Sequence, residues 1–167
     1  MSEPNVSQLI EHRNLRFILM DAPNDDNLVN YLSVMQKRNV TDIVRACEAT
    51  YAQDEATKMG ITCHDMEFQD GDPPPMEIIE KWLALVNQSF PRDGDGGDKT
   101  IAVHCIAGLG RAPMLVTIAL MENGLTCAAA VGKIREARRG ALNNRQLKFL
   151  QTYTPRKKGG TGCCTIM

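Results

Sequence analysis

The stretch from Thr100 to Glu122 does most to limit the folds open to this chain. It reads TIAVHC, then IAGLG, then RAPMLVTIALME. The first run is apolar and of strand length, the last is apolar and of helix length, and glycines space the turn between them. Neither run keeps a polar face. The strand therefore belongs in the middle of a sheet, and the helix belongs packed against it. Gly124 supplies the helix stop.

The rest of the chain repeats the pattern. NLRFILMDAP (14–23) reads as a strand ended by Pro23, and NLVNYLSVMQKRN (27–39) as a helix capped by Asn24 or Asp26. Strands are expected over Val40–Cys47 and Gly60–Phe68, with a turn over QDGDPPP (69–75). Pro75 opens a helix over 76–90 that buries Trp82, and the acidic PRDGDGGDK (91–99) forms a loop. Two more helices are expected over 126–140 and 143–154. Alternating strands and helices imply an α/β fold with a central, mostly parallel sheet flanked by helices. With 167 residues this is one domain, residues 1–155, followed by a basic, Gly-rich tail at 156–167.

Composition narrows the function. A net charge of −1 gives no whole-chain attraction to nucleic acid. No run of about 18 apolar residues occurs, and the N-terminus lacks a basic-then-apolar leader, so the cytosol is the expected compartment. In that reducing setting the six cysteines read as catalytic, lipidated or buried thiols. No zinc site is expected: there is no Cys-x2-Cys pair, and the neighbours Cys63 and His64 should point to opposite faces of a strand. No cofactor is called for.

Cys105 and Arg111 stand at the two ends of the glycine turn. Gly108 and Gly110 let the amides of Ile106, Ala107, Gly108, Leu109 and Gly110 converge on one point, where the helix N-terminus adds partial positive charge. Arg111 is suited to grip a phosphate through two parallel hydrogen bonds. The same field favours the sulfur of Cys105 as a thiolate, the form that attacks phosphorus. The reading is phosphoryl transfer through a phosphocysteine. His104 is expected to orient the loop through a backbone carbonyl. Lysines in the loop would suit a lipid headgroup, but Ile106, Ala107 and Leu109 make a flat apolar mouth instead.

A leaving ester oxygen needs a proton. Asp70 and Asp72 both sit on a glycine-hinged loop, and Asp70 is the expected donor. Many enzymes with such a cradle place a hydroxyl directly after the arginine. Here Ala112 stands there, which predicts slow breakdown of the phosphoenzyme and poor turnover.

IVRACEATY (43–51), HCIAGLGRAP (104–113), RRGALNNRQL (138–147) and the C-terminal CTIM together resemble the phosphatase of regenerating liver (PRL) family of prenylated protein tyrosine phosphatases. The resemblance spans about residues 8 to 158 and the tail. It implies a cysteine-dependent phosphatase fold, with Cys105 as nucleophile, Arg111 as phosphate ligand and Asp70 as general acid. It also implies that Cys47 forms a reversible disulfide with Cys105, shielding it from over-oxidation. Ala112 is itself a family mark. The chain departs from the family at the acid loop, where Gln69 replaces the first of two adjacent acids, and in a tail whose only basic residues are Arg156, Lys157 and Lys158.

CTIM fits a prenylation box, with Cys164 the acceptor and the terminal Met favouring farnesyl. One prenyl chain needs a second signal, which the basic residues supply toward an anionic membrane surface; Cys163 is a possible palmitoyl acceptor. The expected partners are a phosphotyrosine-bearing protein substrate, a prenyltransferase and that membrane surface, at the cytosolic face of plasma or endosomal membranes. The alternatives are a phosphoinositide phosphatase, or a binding module for a CNNM-type magnesium transport mediator, the latter implied by the resemblance.

Overall fold

The computed structural model describes residues 3–94 and 97–156. Five strands form one sheet in the order β1-β2-β5-β3-β4. They are β1 (Ile10–His12), β2 (Leu15–Met20), β3 (Val40–Arg45), β4 (Thr62–Asp65) and β5 (Thr100–His104). β2, β5, β3 and β4 run parallel, and β1 pairs antiparallel with β2 at the edge. The expected α/β architecture is present, with the TIAVH strand at its centre.

Alternation along the strands divides the core in two. Phe17, Leu19, Val44, Ile101 and Val103 face one side, under α3 (Met76–Ser89), α4 (Arg111–Glu122), α5 (Cys127–Ala137) and α6 (Asn144–Thr152). Ile18, Met20, Ile43 and Ala102 face the other, under α1 (Leu28–Lys37) and α2 (Asp54–Lys58). α4 is buried from Arg111 through Met121, as its lack of a polar face requires. Trp82 on α3 donates its indole N–H to the Leu115 carbonyl at 2.6 Å and packs on Phe17 with ring centroids 5.6 Å apart.

Several local expectations need correction. Neither Asn24 nor Asp26 caps α1. Its N-cap is Asn27, which makes no side-chain capping bond, while Asn24 accepts from the amides of Asp26 and Asn27 in a turn just ahead. β3 ends at Arg45, leaving Cys47 beyond it, and β4 covers only Thr62–Asp65, the Met66 amide making one further bond to the Arg45 carbonyl. β1 and α2 were not anticipated. Arg156, assigned above to the tail, is still fastened to the fold: its amide donates to Glu122 at 2.8 Å. Lys157, Lys158, Cys163 and Cys164 lie outside the described residues.

Candidate active site

Parallel strands gather the site at their C-terminal ends. β5 stops at His104, and residues 105–110 loop into the N-terminus of α4. Every carbonyl of this loop is tied to something around it. The Cys105 carbonyl takes His104 Nδ1 at 3.2 Å, and the Ile106 carbonyl takes the Ala22 amide at 2.9 Å. Arg138, buried behind the loop, donates Nη2 to Ala107 at 2.8 Å and Nε to Gly108 at 3.4 Å. Leu109 accepts from the Leu142 amide at 2.8 Å, and Gly110 from the Met114 amide at 3.0 Å. In a planar trans peptide the N–H points opposite to the C=O. Turning the carbonyls out therefore turns the amides of residues 106–110 in, and none of these donates to another described residue. The result is an anion-binding concavity at a helix N-terminus. Gly108 is required at its position: φ is +73°, and a Cβ would sit 2.4 Å from Arg138 Nη2 and 2.6 Å from the Met20 carbonyl. Gly110 has an ordinary φ, but a Cβ would come within 3.3 Å of Gln146 Nε2.

Cys105 and Arg111, at the two ends of the loop, are both buried, 3% and 5% exposed. An open cavity of about 500 Å³ is lined by Glu48, Glu67, Phe68, Gln69, Asp70, Ile106 and Arg111. Arg111 Nη1 donates to the Phe68 carbonyl at 3.4 Å and lies 3.6 Å from Glu48 Oε2. Its Nε sits 3.5 Å from Asp70 Oδ1, yet is buried without a hydrogen bond. A buried guanidinium nitrogen left this way is a donor open to an anion. Gln146 Nε2, against Gly110, is a second buried donor without a partner.

The two aspartates of the acid loop part company. Asp70 projects over Arg111, whereas Asp72 is drawn to Arg145 on α6 at 3.1 Å. Asn143 Nδ2 holds the Gly71 carbonyl at 3.3 Å, so the loop is tethered from the start of α6.

The protein-tyrosine phosphatase family model matches residues 24–154. Protein tyrosine phosphatase PRL-1 of Trypanosoma cruzi is 44% identical over 159 residues, 91% of this chain and 89% of the relative. PRL-1 phosphatase of Drosophila melanogaster is 40% identical over 163 residues, 95% and 91% of the two chains. The chain belongs to the PRL phosphatases. Among solved structures, a Leishmania major protein described as a protein tyrosine phosphatase superimposes with a TM-score of 0.76 at 38% identity, covering 84% of this chain and 89% of that one.

In this PRL phosphatase the histidine before the cysteine is wholly buried and donates Nδ1–H to the Cys105 carbonyl, the role expected of it. That leaves Nε2 to accept from Tyr51 Oη at 2.7 Å. Burial is the main cause that lowers the His104 pKa to about 4, with the Arg45 charge acting the same way and the Cys105 carbonyl opposing both. The ring is neutral in the fold, whereas an unfolded histidine gains its proton near pH 6.5. The unfolded chain thus binds the extra proton first, and stability falls as pH drops from about 6.5 to about 4. The expected loss is about 3 kcal/mol across that window. Urea unfolding of wild type and His104→Gln at pH 7 and pH 4.5 checks this: the variant should show a shallower drop.

Cys47 stands just past β3, next to the β5 end, in a register that pairs Arg45 with His104. Cys47 and Cys105 share one buried cluster, and both are free thiols. Burial pushes the Cys47 thiol up to about 12, against the pull of Arg111. Sequence reasoning gave no role to Arg138, Tyr51, Glu48 or Gln146. Arg138 and Gln146 do fall inside the RRGALNNRQL segment that carries the family likeness.

Proposed function

We propose that this PRL phosphatase hydrolyses phosphotyrosine on proteins through a phosphocysteine on Cys105. The phosphate docks on the amides of Ile106, Ala107, Gly108, Leu109 and Gly110 and on Arg111. The Cys105 thiolate attacks phosphorus in line. As the P–S bond forms, the P–O bond breaks, and the tyrosine oxygen takes the proton of Asp70. Water then attacks the phosphocysteine, gives a proton to the Asp70 carboxylate and releases phosphate and the thiolate. The observation that carries this reading is the loop whose carbonyls are all tied outward above an Arg111 Nε without a partner.

The second step is the slow one. Ala112 is fully buried at the start of α4 and offers the departing sulfur no hydroxyl donor. Rapid-quench labelling should trap phosphorylated Cys105, and Ala112→Ser should raise kcat by about tenfold, the worth of one hydrogen bond to a charged group. Fast turnover with no trapped intermediate would sink this reading.

Cys47 serves as the redox partner of Cys105. The chain is farnesylated on Cys164, which with Lys157 and Lys158 holds the enzyme at the cytosolic face of plasma or endosomal membranes. Cell fractionation tests the tether: Cys164→Ser should move the protein from the membrane pellet to the supernatant, and unchanged pelleting would refute it.

A further inference from the structure

We infer that the cradle selects a single phosphate carried on a basic-flanked protein segment, and rejects carriers that bring more negative charge, phosphoinositides among them. This rests on the phosphocysteine reading above and adds the class of substrate. Glu48, Glu67 and Asp70 bring three carboxylates to the cavity, and among the described residues Arg111 is the one cation lining it. All three are exposed.

The two kinds of charge lie at different depths. Arg111 is buried at the floor beside the inward amides and the N-terminus of α4. These meet one phosphate group and are used up by it. The neighbouring arginines are already engaged. Arg138 spends its guanidinium on Ala107, Gly108 and Asn5, and Arg145 is paired with Asp72. A second phosphate on an inositol ring would meet the carboxylates of the rim and no free cation there. Once a phosphate takes Arg111 from Glu48, which lies 3.6 Å from its Nη1, Glu48 and Glu67 are both open to lysine or arginine beside a phosphotyrosine. Ile106, 44% exposed, lines the cavity with apolar surface that suits a phenyl ring, and Leu109, 40% exposed, lies on the same loop.

The test uses the full-length protein and single-turnover formation of phosphocysteine, so that slow hydrolysis does not mask selectivity. Two phosphotyrosine peptides differing only in flanking lysines or glutamates are compared with a short-chain phosphatidylinositol bisphosphate. The lysine peptide should react about tenfold more efficiently than the glutamate peptide at low salt, as two exposed ion pairs allow, and the gap should shrink at high salt. The bisphosphate should react more slowly than either. In a Glu48→Gln/Glu67→Gln variant the ratio between the peptides should fall toward one. Equal rates, a preference for glutamate, a faster bisphosphate, or a ratio that survives in the variant would each overturn the inference and leave phosphocysteine chemistry standing. If no carrier labels Cys105, the reading beneath it falls as well.

Discussion

A Cys105→Ser protein is expected to lose phosphatase turnover by about four orders of magnitude or more while still binding tungstate at the cradle. A serine hydroxyl needs a base to become a nucleophile, and Asp70 enters this step of the proposed mechanism already carrying a proton. The nearest imidazole, His104, has Nδ1 committed to the Cys105 carbonyl and Nε2 to Tyr51. In the proposed mechanism the oxyanion is held by the amides and Arg111, which the substitution leaves in place, so binding and chemistry should separate. Equilibrium titration with tungstate and stopped-flow hydrolysis of an aryl phosphate read the two quantities. The same substitution should abolish a peroxide-induced cross-link to Cys47. In the proposed redox cycle of the wild type, peroxide would oxidise the Cys105 sulfur to a sulfenic acid; the Cys47 sulfur would attack it, forming an S–S bond as water leaves. Burial holds Cys47 protonated until that moment, so it does not compete for phosphate. Labelled phosphoenzyme in the serine variant, or wild-type peptide maps lacking the Cys47–Cys105 pair, would contradict this account.

Asp70→Asn is expected to lower kcat/KM by about 10²–10³-fold for substrates with poorly acidic leaving groups, and far less for a nitrophenyl ester whose phenolate departs without a proton. That leaving-group dependence identifies an acid; a residue that merely shaped the loop would slow all esters alike. Asp72→Asn should change the rate by less than about threefold, because that carboxylate is turned to Arg145 and away from Arg111. Equal losses for the two variants would count against the assignment. The peptide loop from Phe68 to Pro73 is held on both sides, through the Phe68 carbonyl on Arg111 and the Gly71 carbonyl on Asn143, so Asn at position 70 has little reason to displace it.

The parts of this molecule that could be read from its sequence are those with long apolar runs. β5 and α4 have no polar face to confuse their period, and the central strand, the turn and the helix followed from that alone. β1 is three residues long and α2 five, too short for any periodicity to show. The α1 start was misread because several Asn and Asp residues fall together and each is a plausible cap; the backbone put the Asx turn at Asn24 and the helix after Asn27. In the site, Cys105, Arg111 and Asp70 are close in chain or sit in a distinctive loop. Arg138 comes about thirty residues after the carbonyls it supports, and one arginine among the three of REARRG at a helix end carries no sign of that partner. Tyr51 and Glu48 reach the site only because β3 lies beside β5 in the sheet, an order of strands that the sequence does not display.

The clasp of Arg156 on Glu122 fixes where the last described residues of the chain lie relative to the cradle. α4 begins at Arg111 in the cradle and ends at Glu122, twelve residues or about 18 Å away. Tyr153 and Arg156 both close on that far carboxylate, so the polypeptide leaves the fold at the pole opposite Cys105. A farnesyl group on Cys164, as proposed, would therefore be attached from the end of the domain away from the cradle, leaving the mouth of the cavity clear of the point of attachment.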